Sequence, residues 1–153
     1  MDERNSSEAM QKFLGAFERQ LDVKGRLALP PTYRARFGAG CYLTLGADSS
    51  IEVFTAEAFD AEAERMELRE ARREISLDRL RAFSARAIPA EPDGQGRISL
   101  DERLRRHARL ELKGPVMVFG RLDRVEICSV ERYERSMAAG EQDYTEGATA
   151  DHS

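Results

Sequence analysis

The chain has 153 residues, a formal net charge of −4, 41% hydrophobic and 34% charged residues, which suits one ordinary domain or two small ones around a modest core. Its longest apolar runs are only a few residues, against a transmembrane helix, and no basic start leads into an apolar stretch, against a secretory leader. Two distant cysteines, Cys41 and Cys128, are too few for a disulfide framework or a zinc site, so a reduced, cytoplasmic protein without a membrane partner is expected.

In chain order, residues 1–12 read as an acidic N-terminal tail, because 1–8 hold three acids and one arginine and too little apolar surface to offset ordering entropy. A first unit follows over 13–61. Phe13, Phe17 and Leu21 alternate with polar residues, predicting a half-buried strand over 13–21. Val23-Lys24-Gly25 predicts a turn, with a short strand over 26–29 after it. Pro31 to Phe37 predicts a short helix with proline in its first turn and Gly38 after its end. Two strands, 42–45 and 51–54, come next, and Thr55 is the expected N-cap of a helix.

Residues 62–84 form a helical connector, rich in Glu, Arg, Ala and Leu and free of Gly and Pro. Ser76 followed by Asp78 predicts a restart, giving two helices, and Leu77, Leu80, Phe83 and Ala87 share one face. The first of the two presents Phe59, Ala63 and Met66 on a narrower apolar face. A second unit over 85–136 repeats the first: strand 85–91, turn Asp93–Gly96, strand 97–100, helix 102–109, strands 116–119 and 125–128, N-cap Ser129 and helix 130–138. Residues 137–153 read as an acidic, disordered tail, with four acids and no Lys or Arg from Gly140 onward.

The repeat is visible residue by residue. Asp22-Val23-Lys24-Gly25-Arg26-Leu27-Ala28-Leu29 matches Asp93-Gly94-Gln95-Gly96-Arg97-Ile98-Ser99-Leu100, and Gly46 to Phe59 matches Gly120 to Tyr133 in the same order. In each turn the aspartate can accept backbone N–H groups and orient the arginine, while the glycine allows the tight bend. Asp22, Asp93, Gly25 and Gly96 are therefore the turn-orienting residues. This geometry has two readings, a structural staple repeated by duplication or a device that presents an arginine to a ligand.

Local charge favours presentation. Lys12, Arg19, Lys24, Arg26, Arg34 and Arg36 stand against only Glu18 and Asp22, and Arg97 is followed by Arg103, Arg105, Arg106 and Arg109. Positive charge is nearly all arginine, with Lys12, Lys24 and Lys113 the only lysines, and arginine suits forked contacts with phosphate and guanine. Such a patch can hold a polyanion although the whole chain is acidic.

Enzymatic signals are thin. His152 lies in the tail and His107 among arginines, no base stands ready for a cysteine, and no phosphate loop, dinucleotide fingerprint or zinc-protease motif occurs. No enzymatic activity, cofactor, metal or small-molecule substrate is expected.

Phe13-Leu14-Gly15, Leu21 to Pro30, Asp93 to Ile98 and Asp123 to Tyr133 together resemble the MraZ family of bacterial transcriptional regulators. That resemblance covers roughly 12–136. It implies an α+β fold of two tandem SpoVT-AbrB-like swapped-hairpin units forming a pseudo-twofold β-barrel with flanking helices. It implies assembly of identical chains into a ring, and binding of double-stranded DNA at G-containing direct repeats in the chain's own promoter region, with repression of a division and cell-wall gene cluster. A cytoplasmic, nucleoid-associated location follows. The chain departs from the family where Asp101-Glu102 replaces a Pro-Pro pair, and in having no Trp. On this reading Arg26, helped by Lys24, reads guanine in the major groove, Arg97 is its counterpart in the second turn, and Lys12, Arg34 and Arg36 contact phosphates. The alternative is an oligomeric scaffold or adaptor that uses the same units, with the arginine-rich 62–86 helices as its interface. A small nuclease using His107 or carboxylates is a further, poorer rival.

Overall fold

The structure, a computed structural model, describes residues 12–151, with side chains placed to Gly147. Apart from Lys12, the expected N-terminal tail lies outside the described residues.

Local sequence signals set most element boundaries. In chain order the elements are β1 (Ala16–Gln20), β2 (Arg26–Ala28), α1 (Pro31–Arg36), β3 (Cys41–Leu45), β4 (Ile51–Thr55), α2 (Ala56–Ala71), α3 (Leu77–Arg86), β5 (Ile88–Ala90), β6 (Arg97–Ser99), α4 (Glu102–Ala108), β7 (Pro115–Arg121), β8 (Arg124–Cys128) and α5 (Val130–Asp151). The helices start on side chains that accept their first free N–H groups. Thr55 Oγ1 takes Ala58 N at 3.1 Å, Ser76 Oγ takes Arg79 N at 3.0 Å and Asp101 Oδ1 takes Leu104 N at 2.8 Å. Ser129 Oγ takes Arg132 N at 3.1 Å. Helix α1 starts instead on Pro30, with Pro31 in its first turn. Asp101-Glu102 thus does the work of Pro30-Pro31, one pair capping by an acceptor and the other by a preset φ.

Six strands form an antiparallel sheet in the order β1-β7-β8-β4-β3-β5, and β2 pairs with β6 as a separate two-stranded ribbon. The order reads the same from either edge once each strand is exchanged for its repeat equivalent, so a pseudo-twofold passes between β4 and β8. The repeats are interleaved: β1 of the first pairs with β7 of the second, β4 with β8, and β2 with β6. No closed barrel is formed among the described residues. β1 and β5 are the edges of the sheet, and the three-residue β2 and β6 are too short to ladder with both neighbours.

The core lies where the central strands meet the ribbon. Ile51, Val53, Val125 and Ile127 of β4 and β8 are buried, and Leu27 and Ile98, directly opposite each other in the ribbon, are buried with them. On the far side, Phe59 of α2 lies between Tyr42 of β3 (4.4 Å between ring centroids) and Phe83 of α3 (5.5 Å), which seats the connector helices on the sheet. Among the residues expected on the apolar faces, Met66 is buried and Phe83 packs, whereas Leu77 is 45% exposed.

Three boundaries differ from expectation by three residues or more. The strand expected over 13–21 is regular only from Ala16, because Gly15 turns with φ +87°, and Phe13 is held by a single bridge to Leu122. The strand expected over 85–91 shrinks to Ile88–Ala90, because α3 continues to Arg86. Pro89 fits there because β5 is an edge strand that needs no second donor. Helix α5 continues through Asp151, across the segment read as a disordered tail. Its side chains from Met137 to Gly147 are exposed, so local preference carries it: Ala138, Ala139, Glu141 and Gln142 are good helix formers, and Gln142 Nε2 donates to Glu146 Oε1 one turn on at 3.1 Å.

Candidate nucleic-acid interface

Each repeat builds the same turn from the same atoms. Asp22 Oδ1 accepts Lys24 N at 2.9 Å and Arg26 N at 2.8 Å, and Asp22 Oδ2 accepts Arg26 Nε at 2.7 Å. In the second turn Asp93 Oδ1 accepts Gln95 N and Arg97 N, both at 2.9 Å, and Oδ2 accepts Arg97 Nε at 2.9 Å. Gly25 and Gly96 bend the chain with φ +77° and +78°. The Arg26 backbone N–H is the largest influence on the Asp22 carboxyl, and with the Arg26 guanidinium it holds the pKa down to about 2. The Arg97 N–H acts in the same direction on Asp93. Both carboxylates are thus fixed in the charged form.

The two turns are locked by each other's repeat. Leu29 N donates to Gly96 O at 3.0 Å and Leu100 N to Gly25 O at 2.9 Å. Arg34 of α1 crosses to the second turn, where Nη2 donates to Gly94 O at 2.8 Å and the side chain covers Gly96. Its repeat equivalent, Arg105 of α4, crosses to the first turn, covers Gly25 and donates through Nη1 to Leu100 O at 2.5 Å. Arg105 is the residue the sequence reading did not single out. The signal was present in the repeat itself, since Arg34 and Arg105 stand at the same offset as Gly25 and Gly96.

The ribbon registers Arg26 opposite Ser99 and Ala28 opposite Arg97. Side chains alternate along a strand, so these four residues share the face opposite buried Leu27 and Ile98. Arg26 and Arg97 lie diagonally across that face with 30% and 26% of their side chains accessible. Lys24 is exposed at the tip of the first turn, and Gln95 takes its place in the second. The acids nearby are committed, Asp22 and Asp93 to their arginines, Asp101 to capping α4, and Glu102 to Arg106 at 2.8 Å.

The remaining candidates fall differently. Lys12 is exposed just before buried Phe13. Arg36 is half-buried, its guanidinium 3.7 Å from the centroid of the Phe13 ring, with Nη1 buried and without a partner among the described residues. Burial pushes its pKa down, against the attraction of Glu57. Arg36 therefore packs inward instead of standing exposed beside the turns, and Arg34 donates to the other repeat. His107 places Nε2 2.9 Å from Gly46 O. Cys41 and Cys128 are buried, which pushes both thiols up to about 11 and keeps them unreactive. Among the described residues there is no cluster of three His, Cys, Asp or Glu able to hold a metal ion, and no helix is long and apolar enough to cross a membrane.

The family model described as "MraZ protein, putative antitoxin-like" matches the chain twice, over residues 12–79 and 83–151. The chain is 36% identical over 138 residues to the transcriptional regulator MraZ of Saccharopolyspora erythraea, covering 88% of this chain and 92% of that one. It is 35% identical over 134 residues to its namesake in Nocardia farcinica, with the same shares of both chains covered. With that of Mycoplasmopsis pulmonis it shares 32% identity over 120 residues, covering 78% of this chain and 80% of that one. Matched twice in tandem and along nearly the full length of its relatives, the chain belongs to the MraZ family.

Proposed function

We propose that the chain is a sequence-specific DNA-binding transcriptional regulator whose β2–β6 ribbon enters the major groove. One observation carries this reading: two aspartate-stapled arginines on one face of a two-stranded ribbon. The major groove admits such a ribbon, and the face around Arg26 and Arg97 is otherwise small, with Ala28 and Ser99. With Nε of Arg26 held by Asp22, its two η nitrogens form the remaining fork, a pair of donors matched to guanine O6 and N7. The first turn leads because Lys24 accompanies it where the second carries Gln95. Asp22 and Asp93 orient without contacting, since a free carboxylate would be repelled by phosphate. Lys12 and Lys24 contribute phosphate contacts, while Arg34 and Arg105 act by holding the turns.

The DNA is double-stranded and carries G-containing direct repeats upstream of the chain's own gene, within a division and cell-wall cluster that the protein represses. Several identical subunits, arranged in a ring, engage successive repeats, so that avidity raises a weak single-site affinity. A location in the cytoplasm, on the nucleoid, follows.

Titrating wild type and Arg26→Ala against the upstream region and a scrambled duplex tests the reading. One forked guanine contact discriminates by about 1–3 kcal/mol, so the variant is expected to lose roughly 5- to 150-fold on the repeats and little on the scrambled duplex. Equal loss on both would reduce Arg26 to a phosphate contact. Unchanged affinity would remove it from the interface, and absence of any sequence preference in wild type would return the chain to a scaffold role.

A further inference from the structure

Away from the ribbon, α2 and α3 and the β3–β4 hairpin enclose an open cavity of about 340 Å³, within the size range of small-molecule sites. Its apolar lining is Leu45, Met66, Ala82 and Phe83, and its polar lining is dominated by arginine. The two lining carboxylates are already engaged. Glu52 Oε1 lies 3.2 Å from Arg124 Nη1 and 3.1 Å from Arg121 Nη2, and Glu62 lies 2.9 Å from both Arg124 Nη1 and Arg65 Nε. Three further lining arginines are left poorly compensated. Arg69 reaches Glu74 only at 3.7 Å, and the guanidinium groups of Arg79 and Arg86 have no ion pair or hydrogen bond among the described residues.

Their placement is regular. Arg79, Ala82, Phe83 and Arg86 follow the i, i+3, i+4, i+7 spacing of one helix face, so the two arginines stand about 10 Å apart along α3 with a small and an aromatic residue between them. The helix that carries them is fixed at its start by the Ser76 cap and along its side by the Phe83–Phe59 stack. A row of uncompensated cations on a fixed helix, over an apolar base, is complementary to an anion with an organic body.

We propose that this cavity binds a small phosphorylated metabolite of the organic diphosphate class, with Arg79, Arg86 and Arg69 on the phosphate oxygens and Met66 and Phe83 against the organic part. Arginine matches phosphate by forked, charge-assisted hydrogen bonds, and none of these three residues belongs to the ribbon. The site goes beyond the DNA-binding reading and stands independently of it.

Calorimetric titration of the full chain with ADP and with inorganic pyrophosphate at about 0.15 M salt tests the site, ionic strength at which exposed charges are well screened. Saturable binding near one site per chain is expected. The double variant Arg79→Ala/Arg86→Ala should weaken it by about tenfold or more per arginine, and Arg79→Lys/Arg86→Lys should restore part of it. Both arginines are exposed and unpaired, so the circular dichroism and melting of these variants should match wild type, as should their binding to the upstream DNA. The ribbon variant Lys24→Ala/Arg26→Ala should bind ADP as wild type does. No saturable binding of either probe, or loss of probe binding in the ribbon variant equal to that in the pocket variant, overturns the proposal.

Discussion

The reciprocal brace between the repeats makes a quantitative prediction through Gly96 and Arg34. Gly96 has φ +78°, and a Cβ there would meet Arg34 Cδ at 2.5 Å and Nε at 2.7 Å. Replacing it with alanine imposes a left-handed backbone on an L-residue, costing about 1–2 kcal/mol. It also expels the Arg34 side chain, and the lost hydrogen bond to Gly94 O is worth about 1 kcal/mol. Gly96→Ala should therefore destabilise by about 2–3 kcal/mol, which lowers the melting temperature by very roughly 4–12 °C for a chain of this size. Arg34→Ala alone should cost about 1 kcal/mol. The double variant should cost no more than Gly96→Ala, because Arg34 is already displaced there, leaving a coupling of about 1 kcal/mol in a double-mutant cycle. The equivalent cycle at Gly25 and Arg105 provides the control. A Cβ at Gly25 meets Arg105 Nη1 at 2.5 Å but also the backbone Leu100 O at 2.9 Å, so removing Arg105 leaves the backbone clash in place and the Gly25→Ala penalty largely intact. Urea unfolding of the six variants at neutral pH reads both cycles. Full additivity at Gly96/Arg34 would refute the brace.

Acid should weaken the fold through the two staples. The folded pKa of Asp22 is held down to about 2 and that of Asp93 is also lowered, against an unfolded value of about 3.9. The stabilisation is therefore complete above about pH 4 and lost as pH falls toward 2. Asp22→Asn should lower stability at pH 7 and flatten its decline between pH 4 and 2.5 in urea melts; an unchanged decline contradicts this origin. At the start of the central strand β8, Arg124 is 6% exposed and held by Glu52, Glu62 and Asp123 over the Phe54 ring. Arg124→Met removes the buried partner of these carboxylates but leaves Glu52 with Arg121 and Glu62 and Asp123 with Arg65, so it should cost about 1–3 kcal/mol by denaturant titration, with a loss below about 0.5 kcal/mol showing that the remaining partners and water satisfy them. Among the described side chains, truncation after Ala139 removes only exposed ones, those of residues 140–147, so the melting temperature should hold while ellipticity at 222 nm falls. Unchanged ellipticity would mean that α5 ends before that point.

What the sequence made legible was local. The staple needs only Asp22 and Arg26 four residues apart, and the caps need only Thr55, Ser76 and Ser129 ahead of helix-forming runs, so neighbouring residues decided both. The interleaved order β1-β7-β8-β4-β3-β5 was not legible, because Ile51–Thr55 and Arg124–Cys128 carry the same alternating pattern whichever strand lies beside them. The same limit governs the site. An arginine on a short basic helix looks alike whether it meets a phosphate, as expected of Arg34 and Arg36, or another part of the chain. Only the pairing of β2 with β6 brings Gly94 and Gly96 under Arg34, and only the return of Phe13 to Leu122 puts an aromatic face beneath Arg36.

The crossing of Arg34 and Arg105 also bears on why the unit occurs twice in one chain. A hairpin of three-residue strands has too few ladder bonds to hold an arginine in one orientation, and a two-stranded ribbon is marginal in water. Here the local staple sets each arginine against its aspartate, and each turn draws a further backbone bond and its cover from the other repeat, so the turns that carry Arg26 and Arg97 are fully fixed only when both repeats have folded together. Joining them on one chain replaces an encounter between two molecules by a loop closure, whose entropic cost grows only slowly with the length of the connector. It also frees the copies to diverge. Lys24 against Gln95, and Pro30-Pro31 against Asp101-Glu102, are differences that a dimer of identical units could not hold, and they leave one turn more basic than the other while both keep the same staple.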